Sequence, residues 1–513
     1  KGRRETLTFQ SDLSALCVKK FQIIKIESHK EESMPDHEHT YQRYHIDTQP
    51  APDLVPWPNQ FRVEVNRFYL AKLLLSEIIH QRGDVAAITS RPCVYGTFSG
   101  PIGGFAPRPQ HCVACLRCTT QHPETVTIRR NPDRMSLGDS FLTWRYVNAI
   151  AYESQTGSIP VKGAGYRGRF GGQGWDGMWT DMSEIVRPTR DGIHGREFIS
   201  TVVDIGEKPA YLSFDEKGQL DGETPRVVTI PVPLLYDRLP ASAASATTYN
   251  LWSQAAAQTQ TLAVLPIAAV LREGLRGEQI IPLIEAGEED LLSELDFHPA
   301  IIEVKAPVSA SMFEEIKTRC PKSILAVRMP YPDGQALLDL YDRGVRVFHL
   351  LADFHGYGPG GRFVIDLIRE AHMAFVDAGL RDSVTLLGSG GIIAAEHVPK
   401  AIICGLDAVA LDTPLLVALQ AQFEGDCIDR RESQFHLPKA LAKPDSFAWG
   451  VQRLKNLTAT WRDQLLEILG AMGLREVRRL RGEMGRAMFM ADLEQEAFGE
   501  IEGFESTTKQ GSN

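Results

Sequence analysis

Cys112, Cys115 and Cys118 stand in one short run, each separated from the next by two residues, with His122 and Pro123 just after them. Thiolates are soft ligands, and three at this spacing can wrap one metal centre from a single stretch of chain. The pattern C-x2-C-x2-C-x3-C-P ligates iron–sulfur clusters, and the run matches it at three cysteines and the proline. His122 occupies the place of the fourth cysteine. In two-cluster proteins that cysteine serves the second cluster, so its replacement suits a single cluster. A [4Fe–4S] cluster then needs one more ligand. Cys93 is the nearest unassigned thiol, and the Gly- and Pro-rich loop 96–109 can fold it back. His122 is the second candidate, and a three-cysteine [3Fe–4S] cluster the third. Zinc and buried free thiols are the competing readings. Zinc sites usually pair their cysteines across a hairpin rather than in a triple run. The balance favours iron–sulfur, with Cys93, Cys112, Cys115 and Cys118 as ligands.

Cys17, Cys320, Cys404 and Cys427 complete a set of eight cysteines in 513 residues. That is no disulfide framework, and a reduced interior compartment follows. The formal net charge of −10 argues against nucleic acid, which wants a basic face. The longest apolar stretches, such as 262–271, fall short of the roughly 20 residues that a membrane span needs. No charged-then-apolar signal peptide opens the sequence. The expected location is cytoplasmic, or peripheral on the inner face of a membrane complex. The length calls for two to four domains.

The elements that must position the cysteines come next. Residues 1–60 are polar and rich in His, Glu and Pro, and read as an N-terminal extension. Residues 61–140 form the iron–sulfur segment, opened by an amphipathic helix over 67–82 that Gly83 stops. Residues 141–225 connect it to the rest. Within them, 157–178 interleaves eight glycines with aromatic residues and has no hydrophobic period, as in a loop packed between domains. It follows no apolar strand, so a dinucleotide fingerprint is not expected. Arg187, Arg190, His194 and Arg196 read as salt-bridged loop residues or anion contacts. From 226 to 425, apolar runs alternate with amphipathic stretches. The runs are 227–235, 262–271, Ile280–Ile284, 301–304, 324–329, 345–351, 384–387 and Ala408–Leu411, and helical stretches at 311–318, 334–343 and 363–378 lie between them. Fully apolar strands alternating with helices mean a parallel sheet covered by helices. Eight such runs predict an α/β fold of TIM type, a (β/α)8 barrel; a doubly wound open sheet is the alternative. Residues 426–513 form a helical tail with segments at 461–472 and 483–498 and a disordered end at 506–513.

Several stretches also resemble a known family. They are 180–184, 187–197 and 202–206, then Ile302-Glu303-Val304-Lys305, Ala326-Val327-Arg328, Leu387-Gly388-Ser389-Gly390-Gly391-Ile392, 406–413 and 473–477. Across residues 105–500 this order is similar to the glutamate-synthase-like FMN-binding proteins. It matches their segment before the barrel, their Glu-Ile-Lys strand, their Val-Lys strand with Arg for Lys, their Ala-Ser-Gly-Gly-Ile phosphate loop, their last strand and their helical tail. That family adds ammonia and electrons to 2-oxoglutarate to give glutamate, by flavin chemistry fed from iron–sulfur clusters. The resemblance implies an oxidoreductase acting on CH–NH2 donors with FMN as cofactor. It places Arg328 at the flavin's polar edge and Gly388, Ser389, Gly390, Gly391 and Thr413 around the phosphate. Lys305 and His355 are the candidates for catalysis. Glycines at a strand end allow close backbone approach, and amides with a helix end bind phosphate. The same glycines also suit a tight strand-to-helix turn.

Three departures from the family pattern stand out. Lys305 is followed by Ala306, Pro307 and Val308, where the family has a loop rich in Gln, Lys and Gly that shapes the substrate site. The turn at 353–361, with His355, keeps glycine but in a changed order. Asp412 replaces the glycine beside the phosphate, and a carboxylate there repels a phosphate dianion unless paired or turned away. No cysteine nucleophile opens the sequence, so no glutaminase half is expected. Two expectations result. One is an iron–sulfur, FMN-dependent oxidoreductase that acts on a small molecule beside other redox subunits. The other is a catalytically degenerate electron-transfer or scaffold subunit of a larger redox complex.

Overall fold

Eight apolar segments close into one parallel barrel in chain order. They are β1 (Leu234–Tyr236), β2 (Ala263–Pro266), β3 (Ile280–Ile284), β4 (Ile301–Lys305), β5 (Ile324–Pro330), β6 (Val347–Leu351), β7 (Thr385–Ser389) and β8 (Ala408–Leu411), with β8 paired back onto β1. The strands are buried almost throughout, because helices cover the outside and side chains fill the inside. The computed structural model describes residues 44–84, 93–100, 102–160, 172, 174–180, 199–208, 214–220 and 226–504. The expectations for 1–43, for most of the glycine–aromatic stretch, for Arg187, Arg190, His194 and Arg196, and for 506–513 lie outside these residues.

The covering helices are α1 (Ala246–Gln258), α2 (Ile267–Arg272), α3 (Ala310–Arg319), α4 (Gly334–Asp342), α5 (Val364–Asp377), α6 (His397–Cys404) and α7 (Thr413–Ala418). Side-chain caps start several of them. Ser245 and Thr248 form a capping box on α1, and Ser309 and Asp333 accept backbone amides at the starts of α3 and α4. Each cap satisfies donors that the first helical turn leaves open.

Two of the apolar runs are split by prolines. The run 227–235 is not one strand. Val227–Ile230 pairs antiparallel with Val203–Gly206, and β1 begins only after Pro231 and Pro233. Proline lacks the ladder donor and ends the pairing. The Val203–Gly206 ribbon seats on the amino-terminal end of the barrel, where the Gly206 N–H donates to Thr385 Oγ1 at 3.1 Å. In 262–271, Pro266 closes β2 and is followed at once by α2.

The tail also differs from its sequence reading. The segment 461–472 is the second half of α8 (Ser446–Ala471). The chain is helical from just after Pro444, as its sequence suggests, but the first half lacks a clear apolar period because the buried face carries Arg453, Asn456, Thr458 and Thr460. Arg453 binds the carbonyls of Ala418 and Ala51, the Asp53 carboxylate and Ser154 Oγ, so it fastens the 45–55 segment and the helix Trp144–Thr156 to the barrel. The segment 483–498 is not one helix. It contains a turn at Met484–Arg486, a strand Ala487–Phe489 paired with Met178–Thr180, and a helix Met490–Phe498. Its strand partner lies some three hundred residues away in the chain, beyond the reach of any local pattern.

Candidate functional site

The cysteine segment is a long loop tied at its base. Phe61–Val65 and Val126–Arg130 pair antiparallel over five residues each. Between them, the helix Arg67–His80 is capped by Asn66, and Leu70 packs against Gly104. Cys93 opens a turn, and the Arg108 N–H donates to the Thr97 carbonyl at 2.7 Å, which folds the 93–108 loop back on itself. Cys112 follows the turn Pro109–His111, and Cys118 lies in the short helix Arg117–Gln121. Cys115 is exposed, and Cys93, Cys112 and Cys118 are half-buried.

Ala114 and Leu116, the residues flanking Cys115, have φ of 52° and 61°. Non-glycine residues in the left-handed region store strain and mark functional turns. Alternating right- and left-handed residues also gather amides into a concavity for anions, a geometry common around iron–sulfur centres. Burial pushes the Cys112 thiol up, and the neighbouring thiols of Cys118, Cys93 and Cys115 push it further. Cys93 is therefore within electrostatic reach of the triple run. Burial also raises Cys93, but the neighbouring Thr97 side chain and the amides of Thr97, Tyr95 and Gly96 outweigh it and leave the thiol more acidic than usual. His122 is the exposed C-cap of the short helix.

The second constellation lies at the carboxyl end of the barrel strands. Glu303 on β4, Arg328 on β5 and His349 on β6 meet inside the barrel, joined by Asp237 at the end of β1. Arg328 Nη1 donates to Asp237 Oδ1 at 2.7 Å and to Glu303 Oε1 at 2.9 Å, and Nη2 donates to Asp237 Oδ2 at 3.1 Å. His349 Nδ1 lies 3.0 Å from Glu303 Oε2, while its Nε2 is buried with no partner among the described residues. Burial would raise the carboxyl of Asp237, but Arg328, His349 and Arg430 hold it well below the usual range; Glu303 is lowered in the same way by His349 and Arg328. Arg328 thus sits within a buried ion network instead of presenting a free guanidinium. Lys305 lies nearer the rim, where its Nζ and Arg238 share Glu285.

Ser389, Gly390 and Gly391 end β7. Gly390 has φ of 99°, and a Cβ there would stand 2.4 Å from the Asp353 carbonyl. The turn is glycine because it packs backbone to backbone on the loop after β6. Neither the Gly390 nor the Gly391 amide donates to an acceptor among the described residues. Gly388 lies in β7 against Leu406 and Tyr331. Across from this turn, Asp412 accepts the Thr413 amide at 2.6 Å, so Thr413 is turned to its own neighbour. Asp412 is nevertheless paired. Arg430 Nη2 donates to Asp412 Oδ2 at 2.7 Å and to Ser389 Oγ at 3.2 Å. Arg430 Nη1 reaches Asp237 Oδ2 at 3.2 Å, Nε reaches the Ala352 carbonyl at 2.6 Å, and the guanidinium lies 4.8 Å over the Phe354 ring. It comes from the tip of the antiparallel ribbon Gln422–Glu424 and Gln434–His436.

His355, on the loop after β6, joins the two regions. Its Nε2 lies 2.9 Å from Asp139 Oδ2, and its ring stacks on Phe141 at 5.3 Å. Asp426 completes a group whose ligand atoms lie within 4.8 Å of one another. Asp139 also accepts the amides of Phe141, Leu142 and Cys427, so it is built into the loop packing. Burial lowers the imidazole pKa, but Asp139, Asp353 and Asp426 raise it above the ordinary value. A group whose folded pKa is raised stabilises the fold at pH below its unfolded value, about 6.5, and that contribution fades as pH rises through the folded value. Asp139→Asn is therefore expected to lower the His355 pKa and to cost most stability near pH 6 and less at alkaline pH. An NMR titration of His355 that does not move in the variant would contradict this.

Asp237, His349, Asp139, Asp426 and Arg430 are site residues that sequence reasoning missed, and Glu303 entered it only as part of a resembling strand. A signal existed for Asp237, a charged residue directly after an apolar barrel strand. None existed for Arg430, in a polar loop beyond the last strand.

Residues 361–475, from the turn before α5 to just past α8, match the model of the conserved region in glutamate synthase. This chain is a divergent relative of the glutamate synthases. It is 23% identical over 443 residues to an archaeal-type glutamate synthase (NADPH) of Dehalococcoides mccartyi, covering 73% of this chain and 86% of that protein. An archaeal glutamate synthase (NADPH) of Archaeoglobus fulgidus is 35% identical over 133 residues, 24% of this chain and 25% of that one. Among solved structures, the flavin-binding domain of baker's yeast flavocytochrome b2 is 12% identical, with a TM-score of 0.37 over 61% of this chain and 78% of that one. A mandelate oxidase is 14% identical, with a TM-score of 0.34 over 59% and 98%. Likenesses this weak carry no weight for function. Relative to the glutamate-synthase pattern, the matched region contains the Ser389–Gly391 turn, Asp412 and Arg430.

Proposed function

We propose that this chain is an iron–sulfur flavoprotein of glutamate-synthase type, passing electrons between a [4Fe–4S] cluster and FMN at the carboxyl end of the barrel. The observation that carries the reading is the spacing of Cys112, Cys115 and Cys118 on a loop that also holds the free thiol of Cys93, ahead of a β/α barrel. The donor set fits a cluster. Four thiols share one loop, the backbone of Tyr95, Gly96 and Thr97 makes the Cys93 thiol more acidic, and left-handed residues flank Cys115. Hydrogen bonds to the sulfurs and solvent exposure tune the potential of such clusters. The barrel mouth fits a flavin phosphate. The Gly390 and Gly391 amides donate to no acceptor among the described residues, Ser389 Oγ stands beside them, and loops after the seventh and eighth strands are the usual phosphate seat of this barrel.

When bound, FMN supplies exchange between one- and two-electron chemistry. Around it, Lys305 and Arg238 offer positive charge at the rim for an anionic small molecule, and His355, held by Asp139, is positioned to hold or release a proton. A partner subunit would meet the cysteine loop at exposed Cys115, on a loop that also exposes Val94, Tyr95, Ile102, Val113 and Leu116. The surrounding segment 61–134 has ten lysines and arginines against five acidic residues. An acidic electron-transfer protein fits that face. Purification without oxygen at low ionic strength, followed by assay of iron, acid-labile sulfide, zinc and flavin and by identification of retained subunits, tests the reading. Iron, sulfide and FMN with an acidic redox partner are expected. Zinc without sulfide would remove the cluster, and protein that takes up no flavin would remove the flavin.

The second reading, a degenerate electron-transfer or scaffold subunit, is favoured by two features. Arg328 is engaged by Asp237 and Glu303, and Ala306–Pro307 replaces the substrate loop after β4. Cluster without flavin, in a stable larger complex, is the outcome that would select it.

A further inference from the structure

We propose that Arg430 is the phosphate clamp of the barrel, a guanidinium interposed between Asp412 and the Ser389–Gly391 turn that makes this mouth able to accept a phosphate monoester. The inference rests on the flavin reading above and adds the residue that resolves its main contradiction.

Asp412 is buried, and its second oxygen already caps the Thr413 amide. Burial raises its carboxyl pKa, Asp237 adds to the rise, and Arg430 opposes it. Left alone, a carboxylate here excludes a phosphate by charge and by desolvation. Arg430 alters both. Its Nη2 faces Asp412 Oδ2 on one side and Ser389 Oγ on the other. An anion held by Ser389 Oγ and the Gly390 and Gly391 amides would therefore meet the guanidinium before it met the carboxylate. The guanidinium is itself well placed. The Ala352 carbonyl takes Nε, Asp237 takes Nη1 and Phe354 covers the face, and these contacts leave Nη2 directed at the turn. Planar, permanently charged and pre-oriented, it suits a phosphate better than a flexible ammonium does. Asp412 is then screened from the anion by the clamp, at the cost of holding part of its charge.

The test is titration of the flavin-depleted full-length chain with FMN, riboflavin and inorganic phosphate, followed by flavin fluorescence and by displacement. Riboflavin lacks only the phosphate. In Arg430→Met the FMN dissociation constant is expected to rise roughly tenfold or more, the strength of a charge-assisted bond, with riboflavin within about twofold of wild type. Arg430→Lys should fall between. Asp412→Asn, which frees the guanidinium, should tighten FMN and leave riboflavin unchanged; it keeps the proposal testable if Arg430→Met does not fold by circular dichroism. Adding Asp412→Asn to Arg430→Met should recover part of the FMN affinity, because the repulsion is removed at its source. Equal losses for FMN and riboflavin, or no loss for either, would overturn the clamp while leaving flavin binding intact. Wild-type protein that binds neither flavin would overturn the flavin reading itself, and phosphate that displaces nothing and binds nowhere would overturn the anion seat.

Discussion

Serine in place of Cys112, Cys115 or Cys118 is expected to remove cluster iron, acid-labile sulfide and the broad visible absorbance almost completely. In the proposed cluster each of the three would supply one corner ligand, and a serine hydroxyl stays protonated where a thiolate would bind soft metal. Cys93→Ser should behave differently. If Cys93 is the fourth ligand, its loss leaves three thiolates and favours a three-iron cluster, visible by electron paramagnetic resonance in the oxidised protein. Cys320→Ser is the control, since Cys320 is half-buried at the C-terminal end of α3, outside the 93–122 segment. The barrel should keep its thermal transition in every variant, because the cysteine loop contributes little to the buried core. Cluster loss in Cys320→Ser equal to that in Cys115→Ser, or zinc in place of iron in wild type, would refute the assignment. So would a Cys93→Ser protein identical to wild type in iron and spectrum, as regards the fourth ligand.

Arg328→Met should destabilise the chain by about 3–5 kcal/mol at neutral pH, read as a fall in the free energy of urea unfolding. Its guanidinium is buried with Asp237 and Glu303 at 2.7 and 2.9 Å. Removing it leaves Glu303 with His349, and Asp237 with Arg430 and the Arg238 amide, in a medium that solvates them poorly. The pH dependence carries the sign. In wild type both carboxyl pKa values are depressed, so their stabilisation is present above the unfolded value near 4 and is lost as pH falls below it. In the variant the same groups are left short of positive charge. Their folded pKa values rise, and protonation relieves the strain as the solution is acidified. The gap between wild type and variant should therefore narrow from pH 7 towards pH 5. A gap that stayed constant over that range would point to lost packing rather than lost charge.

The barrel was legible because its information is local. β3 and β8 fall on the runs read from sequence, since a strand buried on both faces is apolar at every position. Where polar residues face inward the signal weakened, as in the first half of α8 with Asn456 and Thr458. It also weakened where proline split a run, as between Ile230 and Leu234. The cysteines stood out as candidate ligands for a similar reason, because chelation by neighbouring residues is a matter of spacing. The sequence also flagged Asp412 as a contradiction, without the residue that answers it.

By itself, then, the sequence determined the cysteine quartet as a candidate set, the eight strands and the glycine turn after the seventh. Only the tertiary structure decided what surrounds them. Arg430 meets Asp237 across 193 residues of chain, and His355 meets Asp139 across 216. It likewise showed that Arg328 is bound by two buried carboxylates. Periodicity and spacing report which residues share a turn or a face. Ion pairs across a closed barrel depend instead on strand order and register, which place distant residues at the same mouth.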